Sequence, residues 1–160
     1  MKQFTKNAAL LILAAAVIAG CQKDDSSNNG GASKTQLLTS GNWKLTSDYF
    51  DPAIDYDGDG RVENEVFNFY SACDKDDLLI FKTDGGLTLD EGTTKCSPTD
   101  PQVIQTTNWK FSNNESVILV GATGSEQSAQ LLVLNATTLK IKVQFTELGV
   151  SYAETLTYTH

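Results

Sequence analysis

From Trp43 onward, apolar and polar side chains alternate along short runs separated by turn residues, the period expected of half-buried antiparallel strands. Leu139-Lys140-Ile141-Lys142-Val143-Gln144-Phe145 separates its two faces completely. Similar runs cover Asn42 to Tyr49, Leu78 to Thr83, Gly86 to Asp90, Thr107 to Ser112, Val117 to Val120, Gln130 to Asn135 and Val150 to Thr159, about eight strands in all. Asp84-Gly85-Gly86, Asn113-Asn114, Asn135-Ala136-Thr137 and Glu147-Leu148-Gly149 connect them with hairpin chemistry. Successive hairpins make an up-and-down meander. A meander with one apolar face buries it most simply by curling into a barrel, so the pattern predicts an all-β up-and-down barrel, with a two-sheet sandwich as the rival architecture.

One segment breaks the alternation. Glu63 to Ala72 sets Val66, Phe67, Phe69 and Tyr70 among polar residues, a spacing that predicts a short helical turn near 63–72, although a strand also fits.

Ahead of this pattern lies a different kind of sequence. Lys2 and Lys6 precede an apolar stretch, Ala8 to Ile18, too short to span a hydrocarbon core of roughly 30 Å. It ends in Ile18-Ala19-Gly20-Cys21, which resembles the lipobox of bacterial lipoproteins. That resemblance implies that residues 1–20 are a signal peptide and that Cys21 is lipidated. The mature chain is then expected outside the cytoplasm, held in the outer membrane by acyl chains worth about 0.8 kcal/mol per buried CH₂. Residues 21–35 carry almost no apolar side chain and read as a flexible tether. Lys23-Asp24-Asp25 resembles the acidic signal that sends some lipoproteins to the cell surface, while a solvated linker accounts for the same residues. Residues 36–160 remain as one domain, expected to be monomeric.

The charge narrows the choice of partners. The chain carries 12 Lys and Arg against 20 Asp and Glu, a formal net charge of -8, and loss of Lys2 and Lys6 would make it more acidic still. Arg61 is its single arginine. Such a surface repels phosphate backbones, which excludes nucleic acid. In an oxidising compartment Cys73 and Cys96, the cysteines left after lipidation of Cys21, are expected to pair. The single histidine, His160, offers neither an activated nucleophile nor a zinc ligand set. An enzyme is therefore not expected.

Several motifs occur in order along the domain: Gly41-Asn42-Trp43 at the head of the first strand, Asp57-Gly58-Asp59-Gly60, Cys73-Asp74-Lys75-Asp76-Asp77, Phe81-Lys82-Thr83-Asp84-Gly85, Glu91-Gly92-Thr93-Thr94-Lys95-Cys96 and Trp109. Together they resemble the lipocalin-like domain of Gram-negative lipoproteins. The first is similar to the Gly-x-Trp signature of lipocalins, whose tryptophan packs across the closed end of the barrel. The Thr-Asp-Tyr loop and the late arginine that stacks on that tryptophan have no counterpart. The resemblance implies a lipocalin-like barrel that holds a small apolar or amphipathic ligand. A barrel filled by its own side chains, whose loops contact an envelope partner, is the rival.

Two constellations are candidate sites. Asp55, Asp57 and Asp59 alternate before Gly60 as in an EF-hand loop, where carboxylates wrapped about a tight turn converge on calcium. The carbonyl of Arg61 and the carboxylates of Glu63 or Glu65 could complete a variant site, although the twelfth position is Val66 rather than glutamate. Ordinary Asp-Gly turn chemistry explains the same residues. Glu154 is the second candidate, sharing a face with Val150, Tyr152, Leu156 and Tyr158. If that face points inward, its carboxylate needs a partner such as a lysine, a tyrosine hydroxyl or a polar ligand group. A place at the barrel mouth, or a bulge, would relieve the need. Glu154 and Tyr152 are thus the candidate ligand contacts.

Overall fold

The computed structural model describes residues 31–160. The expected signal peptide, Cys21 and most of the tether lie outside the described residues. Nine strands follow a short helix: β1 (Asn42–Ile54), β2 (Glu63–Glu65), β3 (Leu78–Phe81), β4 (Gly86–Asp90), β5 (Val103–Ser112), β6 (Val117–Val120), β7 (Gln127–Leu134), β8 (Thr138–Glu147) and β9 (Val150–Thr159). Each strand from β3 to β9 pairs with the next, and β9 returns to β1. The result is a closed, eight-stranded, antiparallel barrel with β2 as an extra strand. Closure rather than a sandwich follows from β1, which gives one edge to β9 over Lys44 to Asp51 and the other to β3 over Asn42 to Lys44.

Farther along that second edge β1 pairs with β2, Tyr49 opposite Glu65 and Ile54 opposite Glu63. Residues 63–65, expected within a helical turn, are therefore strand. The helical character of 63–72 survives as a single 3-10 turn, Phe67–Phe69. A free strand edge beside this segment outweighs the propensity of so short a helix. Val66 is fully buried, and its N–H donates to the Asp48 carbonyl at 2.9 Å. A disulfide joins Cys73 to Cys96, tying this segment to the loop between β4 and β5.

The helix α1 (Lys34–Leu38) begins inside the stretch read as tether. Ser33 caps it in a capping box with Gln36, so these residues fold with the barrel. Leu38 is fully buried, and its carbonyl accepts the Trp43 indole N–H at 2.8 Å. Trp43, Phe81, Leu87, Trp109, Ile118, Leu139 and Ile141 fill the same end of the barrel. Each aliphatic side chain so buried contributes about 1.5–3 kcal/mol. That end is closed; the loops 55–62, 91–102, 121–126 and the Leu148-Gly149 turn surround the other.

Candidate functional site

Alternation along β1 is interrupted once, and the interruption shapes the interior. Opposite β9, Leu45 faces Tyr158 but Ser47 faces Thr157, leaving Thr46 as the extra residue of a bulge. Strict alternation from Trp43 would send Ser47 and Tyr49 inward. The bulge sends Asp48 and Phe50 inward instead, and Asp48 is only 2% exposed. Nothing in the sequence pattern announces this, and Asp48 is absent from the residues the alternation singles out.

On β9 the face shared by Glu154, Leu156 and Tyr158 points inward. Tyr158 packs with Leu156 against the closed-end core, and Glu154 and Tyr152 continue that face toward the open end. Glu154 stands opposite Phe50 on β1 and Val143 on β8, and Asp48 stands opposite Leu156. The two carboxyl groups are thus diagonal neighbours inside the barrel, within mutual reach. The Tyr70 hydroxyl, brought in by the segment beside β2, donates to Asp48 Oδ2 at 2.7 Å. Asp48 Oδ1 is buried and has no hydrogen-bond partner among the described residues. No lysine or arginine among the described residues pairs with either carboxyl.

These surroundings shift the titrations. Burial, then the charge of Asp48 and a hydrogen bond to it, pushes Glu154 up to about 7. Burial also raises Asp48, against hydrogen bonds from Tyr70 and Glu154 that lower it. Burial and the neighbouring charge thus favour the proton on Glu154 over Asp48. Burial and the two nearby carboxyls hold the Tyr158 hydroxyl in its neutral form.

Above the acids the barrel opens. A cavity of about 520 Å³ lies at the mouth, lined by Phe50, Ala53, Ile54, Phe145, Leu148 and Tyr152 among others. Ligand cavities commonly measure about 300–1,000 Å³. Phe145 stacks on Tyr152 with centroids 5.4 Å apart and meets Phe50 edge-on at 6.4 Å. A second recess of about 500 Å³ shares Phe145 and reaches Glu154, with Val143 and Glu126 on its wall. Glu126 is held by Lys110 at 2.8 Å, which lowers it to about 2.

A family model for the lipocalin-like domain matches residues 26–141, well over half of the chain. The chain belongs to the lipocalin-like domain family. The match stops within β8, so the strand that closes this lipocalin-like barrel, with Glu154 and Tyr152 on it, lies beyond the matched residues. No curated protein matches the sequence.

The acidic loop sits on the rim of the lipocalin-like barrel, with Asp55 and Val62 among the residues lining the mouth. Asp55, Asp57 and Asp59 bring carboxylate oxygens within 4.8 Å of one another, and all three are exposed. Asp55 accepts the N–H groups of Gly58 and Gly60 at 2.9 and 3.0 Å, Asp57 that of Asp59 at 3.2 Å, and Asp59 that of Arg61 at 2.8 Å. Gly58 and Gly60 adopt φ of 77° and 88°, which lets the chain fold around these oxygens. Glu63 and Glu65 stand apart from this group, on β2. Glu65 accepts from the Ser47 hydroxyl at 2.6 Å and from the Asp48 and Phe67 N–H groups, which fixes it against β1. The guanidinium of Arg61 reaches back to Asp59 at 4.0 Å.

Proposed function

We propose that this lipocalin-like domain is a non-enzymatic binding module, tethered to the outer membrane through Cys21, that holds a small apolar or amphipathic ligand at the open end of its barrel. The observation that carries this reading is the asymmetry of the interior. One end is packed solid around Trp43 and covered by α1, while the other opens through a cavity of about 520 Å³ bordered by Phe50, Phe145 and Tyr152. A barrel built only as a support would gain stability by filling both ends. Leu148, 98% exposed at the rim, supplies further apolar surface where a ligand would enter.

Calcium belongs to the same reading. Three convergent carboxylates on the rim offer hard oxygen ligands. An ion there would hold the 55–62 loop, and with it one wall of the mouth.

Displacement of the neutral dye N-phenyl-1-naphthylamine from the purified domain tests the reading. Dye fluorescence should rise on binding and fall as a C12 alcohol is added. Substitution of Phe145 or Tyr152 by Ala should weaken dye binding several-fold. No dye binding, together with native mass spectra free of co-purified small molecules, would instead favour a filled barrel whose exposed rim contacts an envelope partner.

A further inference from the structure

The interior acids have a consequence for what the barrel holds. Asp48 and Glu154 project into it from adjacent strands. Asp48 is almost wholly buried with Oδ1 lacking a donor, and neither carboxyl has a lysine or arginine partner among the described residues. A buried carboxylate without a counter-charge costs several kcal/mol, which apolar side chains of similar size would avoid. The recess that reaches Glu154 has a volume of about 500 Å³, and the other acid on its wall, Glu126, is already neutralised by Lys110. Toward the mouth the walls turn aromatic, with the Phe145 and Tyr152 rings stacked beside Phe50. An anionic ligand would meet carboxylates here, and the Tyr70 hydroxyl is already committed to Asp48.

We propose that the ligand is an amphipathic cation, an organic amine or ammonium, whose head is received at Glu154, with the Asp48 carboxyl behind it, and whose apolar part runs past Phe145, the residue common to the Glu154 recess and the mouth cavity. This rests on the binding reading above and sharpens it to a ligand class. The cation supplies a charge partner that no lysine or arginine among the described residues does. Aromatic faces beside its path add cation–π attraction. The matched carboxyl pair at the inner end and the apolar cavity at the outer end then act on opposite ends of one molecule.

Three probes of equal chain length, dodecylamine, dodecanol and dodecanoate, distinguish the possibilities when each displaces N-phenyl-1-naphthylamine at pH 7.5 and 0.3 M NaCl. The amine should bind at least ten-fold more tightly than the carboxylate. Glu154→Gln, and separately Asp48→Asn, should reduce that preference to less than three-fold. Asp84→Asn, at an exposed turn of the closed end, should leave the preference intact, which separates the interior pair from the overall negative charge. Retained dodecanol binding shows that each variant is folded. Should either interior variant fail to fold, the ten-fold preference of the unaltered domain, unchanged in Asp84→Asn, decides the matter. Equal affinity for amine and carboxylate, or a preference that persists in both folded interior variants, overturns the cationic ligand while leaving the apolar site standing. Failure of all three probes to displace the dye overturns both.

Discussion

The imidazole of His160 stacks on the indole of Trp43, with ring centroids 4.1 Å apart and planes inclined by 24°. A Cβ at Gly41 would stand 2.0 Å from His160 Nδ1, so the glycine of Gly41-Asn42-Trp43 makes room for this stack. The ring is held on its far side by His160 Nε2, which donates to the Ala136 carbonyl at 2.6 Å. Histidine thus takes the position on the tryptophan that an arginine holds in the lipocalin signature. Gly41→Ala should displace the imidazole, a movable side chain, and cost about 1 kcal/mol of stacking. Trp43→Ala should cost about 3–5 kcal/mol through the cavity it leaves. Urea unfolding measures both, and equal losses in the two variants would contradict the assignment.

Stability should rise as pH falls from 8 to 5. Glu154 is pushed up to about 7 by burial and Asp48. Asp77 is pushed up to about 6 by burial and then by Glu91 and neighbouring aspartates. A carboxyl with a raised folded pKa binds its proton more tightly in the folded state. Its stabilising contribution is therefore complete below the unfolded value, about 4, and disappears as pH rises through about 6 to 7. Glu154 is only half-buried, so solvent screening reduces the gain to about 1–2 kcal/mol, or roughly 5 °C in Tm. Melts from pH 5 to 8 should show this trend, and Glu154→Gln should flatten most of it.

Millimolar calcium should raise the melting temperature by several degrees over the same sample in chelator, since an ion at about 100 times its Kd adds about 2.7 kcal/mol. Asp57→Ala and Asp59→Ala should each abolish the difference. An identical Tm with calcium and chelator removes the ion from the account of the rim.

Replacing both Cys73 and Cys96 by Ala should lower stability by about 3 kcal/mol, because their bond closes a loop with a sequence separation of 23. Dye binding at the mouth should survive, since neither cysteine lines the cavity there. Loss of binding in a folded double variant would show that the tied loop shapes the site.

Alternation in β8 and β9 made the strands and the common face of Tyr152, Glu154, Leu156 and Tyr158 legible in the sequence, because side chains in a strand obey a period of two wherever pairing is regular; which way that face turns was not. The pairing of Cys73 with Cys96 was legible for a different reason, the thiol inventory. Asp48 was not legible. A single bulge at Thr46 inverts the phase of β1, and bulges are set by register against a partner strand distant in sequence. Tyr70 was hidden likewise: its segment reads as a short helix until the free edge of β1 takes up residues 63–65.

The sequence by itself determined an all-β meander and a loop rich in aspartate, since each depends on neighbours along the chain. Only the tertiary structure decided that β9 closes against β1, that His160 covers Trp43, and that two carboxyls meet inside the barrel with no lysine or arginine partner among the described residues. Those relations join residues about a hundred positions apart, and they are fixed by register and burial, which local pattern does not encode.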